Sequence, residues 1–528
     1  PTIVDDERSV HHGLGFVPIA WIRNLPGMSS TGEQSEGACT FRAAVETQIE
    51  IDYQMLRLEQ GDVDMLRYGS DELRKDPASA AIFLNQGVPF ELGQTLVQAD
   101  LARTLRRISD EGARGFYQGP VGAAIVASSQ AGKGLITQAD LDQYRTRELK
   151  PVECDYRGYR VVSAPPPSSG GVIVCEILNV LEGYPLKDWG FRSAQAVHVQ
   201  IEAMRHAYMD RNTYLGDPDF VKNPLDRLLD KTYAAKLRAA IDPHKAGVSK
   251  DIVPGSPPHE GSNTTHYSIV DKAGNAVSVT YTLNDWFGAR VTAAGTGVLL
   301  NNEMDDFTAK VGVPNLYGLV QGQANAIAPG KRPLSSMSPT IVSKDGQPVL
   351  VVGTPGGSRI ITAVLHTILN VIDYGMTLQE AVDAPRFHQQ WLPPATNLER
   401  FALSPDTQKI LEGMGHSFGS PQPANHMAAV MVGAPSLGGK PVGANRFYGA
   451  NDPRRGTARR VGMDPAYVAA APAISARAPL RPRPPAVPCC GRRCRPSRRP
   501  SPGTPRRAAR SARPGCAPWR ARRRRARS

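Results

Sequence analysis

Hydroxyl-bearing and apolar side chains alternate along Thr264-Thr265-His266-Tyr267-Ser268-Ile269-Val270 and again from Ala276 to Asn284, the two-residue period of extended chain. Between the arms, Lys272-Ala273-Gly274 suits a three-residue loop with Gly274 in the left-handed region, so the segment predicts an antiparallel hairpin. Pairing Asp271 with Asn275 puts Thr264 opposite Thr282, with Asn284 on the same face. A one-residue slip would send Thr282 and Asn284 to the other face. Upstream, residues 64–148 follow helical spacing: Leu101, Leu105 and Ile108 line one face of 99–110, and Thr137 with Asp140 forms a capping-box signal. Arg103, Arg106 and Arg107 fall on that first helix's solvated side. A strand pair is expected over 152–162. It leads through Ala164-Pro-Pro-Pro-Ser-Ser-Gly-Gly171 into an apolar helix over 172–181, and a long helix follows over 194–214. On the long helix His198 and His206 read as packing or surface positions rather than metal ligands. Residues 243–263, rich in Pro, Gly and Ser, read as a flexible loop. Residues 347–353 read as a buried strand, 354–358 as a glycine turn and 360–374 as a helix. No apolar run reaches the roughly 20 residues that span a bilayer.

Charge changes the picture less than its total suggests. The chain has 528 residues with 62 Lys and Arg against 49 Asp and Glu, a net of +13. Residues 471–528 contain 18 Arg, no Lys and no acid, which leaves 44 basic against 49 acidic residues in 1–470, a net of −5. The body is thus mildly acidic, and no nucleic-acid partner is expected of it. The Arg/Pro-rich tail has almost no core-forming content and is expected to be disordered, out-of-frame or read-through sequence. Cys39, Cys154 and Cys175 lie in the body, and Cys489, Cys490, Cys494 and Cys516 in the tail. Their spacing indicates neither a disulfide framework nor a zinc site and leaves the redox compartment open.

A threonine hydroxyl needs a base beside it. If the chain were cut between Asn263 and Thr264, the freed α-amine of Thr264, with a reference pKa of about 7.7–8.0, would supply one. Composition and periodicity do not show such a cut, and a Thr-rich strand suits many β-containing cores. The decisive pattern is longer. The runs GSNTTHYSIVDKAGNAVSVTYTLNDWFG, LLNNEMDDF, GVPNLYGLV, KRPLSSMSPTIV, GTPGGSRIIT and APRFHQQWLP follow one another in that order. Upstream stand LVQADLARTLRRI, GLITQADLDQY, DYRGYRVVSAPPPSSGG and DRNTYLGDPDFVKNPL. Over roughly Gly61 to Gly462 this series resembles the γ-glutamyltransferases, members of the N-terminal-nucleophile hydrolases.

The resemblance implies an α/β fold, a four-layer αββα sandwich formed by two subunits cut from one precursor. It divides the chain into an unmatched segment (1–60), a remnant of the large subunit (61–263), a small subunit beginning at the nucleophile (264–463) and the tail (464–528). Thr264 would be the nucleophile, Thr282 its positioning partner, and Gly356 and Gly357 the oxyanion hole. Glu303 and Asp306 would bind the substrate's α-ammonium, Ser335 and Ser336 would hold its α-carboxylate, Asn284 would help them fix this amino-acid end, and Tyr317 would close over the site. On a strand only one of Asp305 and Asp306 could face the pocket, and the resemblance selects Asp306. The implied donor is glutathione or another γ-glutamyl compound, the acceptor an amino acid, a dipeptide or water, the assembly a heterodimer of the two subunits, and the location periplasmic or secreted. No cofactor or metal is implied. The family's Gly-rich segment and carboxylate-binding arginine find no match before Gly61, and no secretory signal is found there; a fragment or disrupted reading frame is expected. Two alternatives stay open: a glutaryl-cephalosporin acylase, and an inactive homologue whose basic tail binds polyanions.

Overall fold

A computed structural model describes residues 56–249, 264–421, 425–442 and 446–454, all within the unit Pro1–Val468. The expectations for residues 1–55, for residues 250–263 of the loop ending at Asn263 and for the tail fall outside the described residues, while the start of that loop is held by the Ala246 N–H donating to the Met414 carbonyl at 2.8 Å. Before Thr264 helices lead: α1 (Gln60–Leu73), α2 (Ala99–Glu111) and α3 (Gly119–Ala131). On α2, Ala102, Leu105 and Ile108 are buried while Arg103 and Arg106 are exposed, as the spacing predicts. Thr137 and Asp140 close the expected capping box.

Strands β1 (Val152–Tyr156) and β2 (Tyr159–Ser163) lead into α4 (Gly170–Leu181) and α5 (Ala194–Tyr214). Every residue of α4 is buried, which an almost wholly apolar helix requires. Beyond Thr264 come β3 (Thr264–Val270), β4 (Ala276–Thr282), β5 (Thr340–Lys344), β6 (Gln347–Gly353), α6 (Arg359–Ile372), α7 (Pro405–Gly413), β7 (Ala428–Val432) and β8 (Phe447–Asn451).

Six strands form one antiparallel sheet in the order β8-β7-β6-β5-β2-β1. The join between the part of the chain before Thr264 and the part after it is the pairing of Arg160–Ser163 on β2 with Ser343–Thr340 on β5. Alternate residues Val161, Val342, Leu350 and Val352 share a core with α4, α5 and α6. The hairpin β3–β4 packs on the opposite face, against β6 and β7. A Cβ at Gly353 would lie 2.1 Å from the His266 ring, so only glycine lets the hairpin approach so closely. Beyond the hairpin, α2 and its neighbours form a separate small core with Ala293, Val298 and Leu300. The order is therefore helices, sheet, hairpin, helices.

One expectation is corrected. Cys154 on β1 and Cys175 on α4 form a disulfide, with Cα atoms 5.8 Å apart. Their separation of 21 residues carries no disulfide signature. The bond follows from α4 folding back across the strand pair, a tertiary event that residue spacing does not report.

Candidate active site

The hairpin has the expected register, with Thr264 opposite Thr282 and Val270 opposite Ala276. Asp271 fixes its loop by accepting from the Ala273 and Asn275 N–H groups at 2.9 and 2.8 Å, and Gly274 adopts φ 88°. The hydroxyl-bearing face turns toward the six-stranded sheet. Ser268 Oγ donates to the Ala428 carbonyl and Ser278 Oγ to that of Val352, while Ile269 and Val277 point outward. At the open end, Thr264 Oγ1 donates to Thr282 Oγ1 at 3.2 Å, and Thr282 Oγ1 accepts from the Asn284 N–H at 2.8 Å. Asn284, at φ 70°, turns the chain off the strand and donates through Nδ2 to the Asn302 carbonyl at 3.1 Å.

The acidic segment departs from the strand expected of it. Glu303–Asp306 is a turn of 3₁₀ helix whose first N–H is held by Asn301 Oδ1 at 2.9 Å. Three residues per turn put Glu303 and Asp306 on one side, where a strand would have separated a pair of odd spacing. Glu303 is 2 % exposed, faces the Thr282 hydroxyl and the Asn284 N–H, and has one buried oxygen without a partner. Burial and then the Asp306 carboxylate push its proton affinity well above the usual range. Burial, with Asp305 adding, pushes Asp306 up to about 7. Asp305 itself accepts from the Leu316 N–H at 3.0 Å and so anchors the loop carrying Tyr317. The result is a buried acidic pair that the Arg211 charge offsets only in part, a place suited to an ammonium ion.

Tyr317 donates to the Asn284 carbonyl at 2.6 Å, and its ring lies across Gly357. A Cβ on Gly357 would lie 2.3 Å from that ring, and one on Gly356 would lie 2.5 Å from the Asn425 side chain. Both glycines have positive φ, 131° and 55°, in the turn joining β6 to α6. Among the described residues neither glycine's N–H donates to a protein acceptor. They lie just ahead of the positive end of the α6 dipole, which suits an oxyanion.

Ser335 and Ser336 are buried, and the Pro/Ser/Gly loop before α4 clamps them. Ser169 donates through N and Oγ to the Ser335 carbonyl at 2.9 and 2.7 Å, and the Ser335 N–H donates to Pro167. Ser336 Oγ accepts from Arg211 Nη2 at 2.9 Å, and Ser169 Oγ from Arg211 Nε at 2.8 Å. Arg211 is fully buried, and Asp306 is among the charges that act on it. Sequence reading passed over Arg211 because a cation inside a helical pattern reads as a solvated face. Its signal was its place beside Asn212 in the DRNTYLGDPDF run. A second overlooked group lies behind the glycine turn, where Ser358 Oγ and His388 Nε2 both meet Gln390 Oε1 at 2.7 and 2.8 Å.

Contacts thus connect the predicted residues Thr264 to Thr282, Asn284, Tyr317 and Gly357 in succession and Glu303 to Thr282, while Arg211 bonds Ser336 and its charge acts on Asp306. Asn263 lies outside the described residues. A 320 Å³ cavity lined by Leu101, Leu105, Phe116, Tyr281 and Trp286 opens onto Thr264 and Thr282 from the side of the amino-terminal helices.

A layered α/β fold that presents a threonine at the first position of its inner hairpin is that of the N-terminal-nucleophile hydrolases. The cephalosporin acylase of Bacillus halodurans shares the fold, with TM-score 0.64 over 84% of this chain and 83% of that one at 23% identity. A sequence model of the family described as Gamma-glutamyltranspeptidase matches residues 37–461, starting further upstream than the quoted motifs reach. The glutathione hydrolase proenzyme of Pseudomonas sp. (strain A14) is 69% identical over 85% of this chain and 78% of its own length. That of Escherichia coli (strain K12) is 51% identical over 74% of this chain and 66% of its own length. The chain belongs to the gamma-glutamyltranspeptidase family.

Proposed function

We propose that this chain cleaves itself before Thr264 and then hydrolyses or transfers γ-glutamyl groups, with glutathione or a related γ-glutamyl amide as donor. The observation that carries this reading is the Thr264–Thr282 hydroxyl pair set against the buried Glu303–Asp306 acids and the Gly356–Gly357 turn. In the precursor, the Thr264 hydroxyl attacks the Asn263 carbonyl, and water opens the resulting ester to leave a free α-amine. That amine takes the hydroxyl proton as Thr264 attacks the γ-amide carbonyl. The N–H groups of Gly356 and Gly357 hold the oxyanion, and the proton passes to the departing amine. Water, an amino acid or a dipeptide then takes the γ-glutamyl group from its threonine ester. Thr282 orients the nucleophile. Glu303, Asp306 and Asn284 hold the donor's α-ammonium; Ser335 and Ser336 hold its α-carboxylate, with Arg211 behind Ser336 polarising that hydroxyl.

The acidic pair favours this reading over a glutaryl-cephalosporin acylase, whose acyl group lacks the α-ammonium. We place the chain in an oxidising compartment such as the periplasm, a reading the Cys154–Cys175 disulfide supports. Among the described residues no helix is long and apolar enough to cross a membrane.

The test joins amino-terminal sequencing and intact mass with hydrolysis of a chromogenic γ-glutamyl anilide. Cleavage gives chains of 263 and 265 residues, the second beginning Thr264-Thr265-His266. The anilide is hydrolysed, and Thr264→Ala abolishes both cleavage and turnover. A chain that stays at 528 residues, or a cut chain that leaves the anilide untouched, overturns the proposal.

A further inference from the structure

We propose that His198, Glu202 and His416 form a binding site for one divalent transition-metal ion, remote from the nucleophile and most suited to Zn²⁺. On α5, His198 and Glu202 stand one turn apart and share a face. His416, just past α7, meets them from the other side. The three residues are buried, and one candidate ligand atom from each lies within 4.8 Å of the others. Two imidazoles and a carboxylate are a donor set common to zinc.

The hydrogen bonds fix the tautomers and expose a conflict. His198 Nε2 lies 2.8 Å from the Asp242 carbonyl, which can only accept, so this nitrogen carries the proton. His198 Nδ1 is then a lone pair, and it lies 2.8 Å from His416 Nε2, which must donate. His416 Nδ1 is left as a second lone pair. It is buried, has no hydrogen-bond partner, and lies 4.0 Å from Glu202 Oε1. Two acceptors thus face each other in the interior. Moving the proton to His416 Nδ1 satisfies Glu202 but leaves the lone pairs of His198 Nδ1 and His416 Nε2 facing each other 2.8 Å apart, where a metal ion takes the place of the displaced proton.

The surroundings are those of metal ligands. His198 gives its remote N–H to a backbone carbonyl, and Glu202 Oε2 accepts from the Gly247 N–H at 3.1 Å. Arg205 is the opposing charge. Its Nε reaches Glu202 Oε1 at 3.4 Å, while Nη1 is drawn to Ser249 Oγ at 2.6 Å. Two nitrogens on a tetrahedral zinc lie about 3.3 Å apart, so the rings part by about 0.5 Å on binding. His198 and Glu202 precede Thr264 and His416 follows it, so the ion ties the two parts of the chain together.

The full-length protein, stripped with a chelator, is titrated with Co²⁺ and then Zn²⁺ and followed by visible and near-ultraviolet absorption and by metal analysis. One equivalent of Co²⁺ gives ligand-field bands of a nitrogen and oxygen site without the thiolate charge-transfer band that Cys39 or the tail cysteines would contribute. Zn²⁺ displaces it and raises the unfolding temperature. Glu202→Gln and His416→Gln, checked for folding by circular dichroism, each weaken binding about a hundredfold or more. The proposal fails if the unmutated chain shows no ligand-field spectrum, if the bound ion reports thiolate ligation alone, or if both folded variants bind undiminished. The first two readouts need no variant, so a substitution that prevents folding leaves the test decisive.

Discussion

Asp306 is held in a state that suits a visitor better than it suits the fold. Its carboxyl is raised from 3.8 to about 7, first by burial and then by Asp305. An acid whose folded pKa exceeds its unfolded value binds more protons folded than unfolded between the two, so stability falls as pH rises across that window, here from about 4 to about 7. Asp306→Asn should remove this loss, and calorimetry should find the variant gaining stability relative to the natural chain between pH 4 and pH 8. The same substitution should damage binding. Capture of an α-ammonium needs the carboxylate form, so the KM of the natural enzyme for a γ-glutamyl donor should fall as pH rises through about 7. In Asp306→Asn that pH dependence flattens and KM rises about 10- to 100-fold, the worth of a charge-assisted hydrogen bond. A variant that keeps the natural KM profile would remove Asp306 from the ammonium site.

At the scale of elements, the proposed oxyanion role falls to the turn between β6 and α6. Gly357→Ala places a methyl group 2.3 Å from the Tyr317 ring at φ 55°, which displaces both the turn and the tyrosine above it. Steady-state kinetics should show kcat lowered about 10²- to 10³-fold with a smaller change in KM, the pattern of a lost oxyanion donor. Equal loss in both constants would point instead to a collapsed binding site. This turn and the β3–β4 hairpin were legible in the sequence because local rules govern them: a two-residue period, a loop glycine, and a strand and helix flanking Gly-Gly. The Glu303–Asp306 turn was legible in its residues but misread in its geometry, since the side chain of Asn301 draws the backbone into a 3₁₀ turn. Arg211 was passed over because its value depends on what α5 packs against. Ser169 and Ser336 reach it from loops about 42 and 125 residues away. The Cys154–Cys175 pairing was hidden for the same reason, with helix packing rather than spacing bringing the sulfurs together.

Across the whole molecule, the parts before and after Thr264 are interleaved. Strand β2 pairs with β5 inside one sheet. Asp217 accepts from Arg332 N and Nε at 2.8 and 2.9 Å, and Asp373 accepts from Tyr156 at 2.8 Å. The disulfide joins two residues that both precede Thr264, so it does not bridge these parts. Among the described residues, everything that crosses from one part to the other is then noncovalent once residues 263 and 264 are severed. The proposed scission would change the molecularity of unfolding. A precursor unfolds as a unimolecular event, whereas the severed protein unfolds into two independent polymers whose return is second order. Diluting the processed protein a hundredfold should therefore lower its unfolding temperature, while the Thr264→Ala precursor should melt at the same temperature at every concentration.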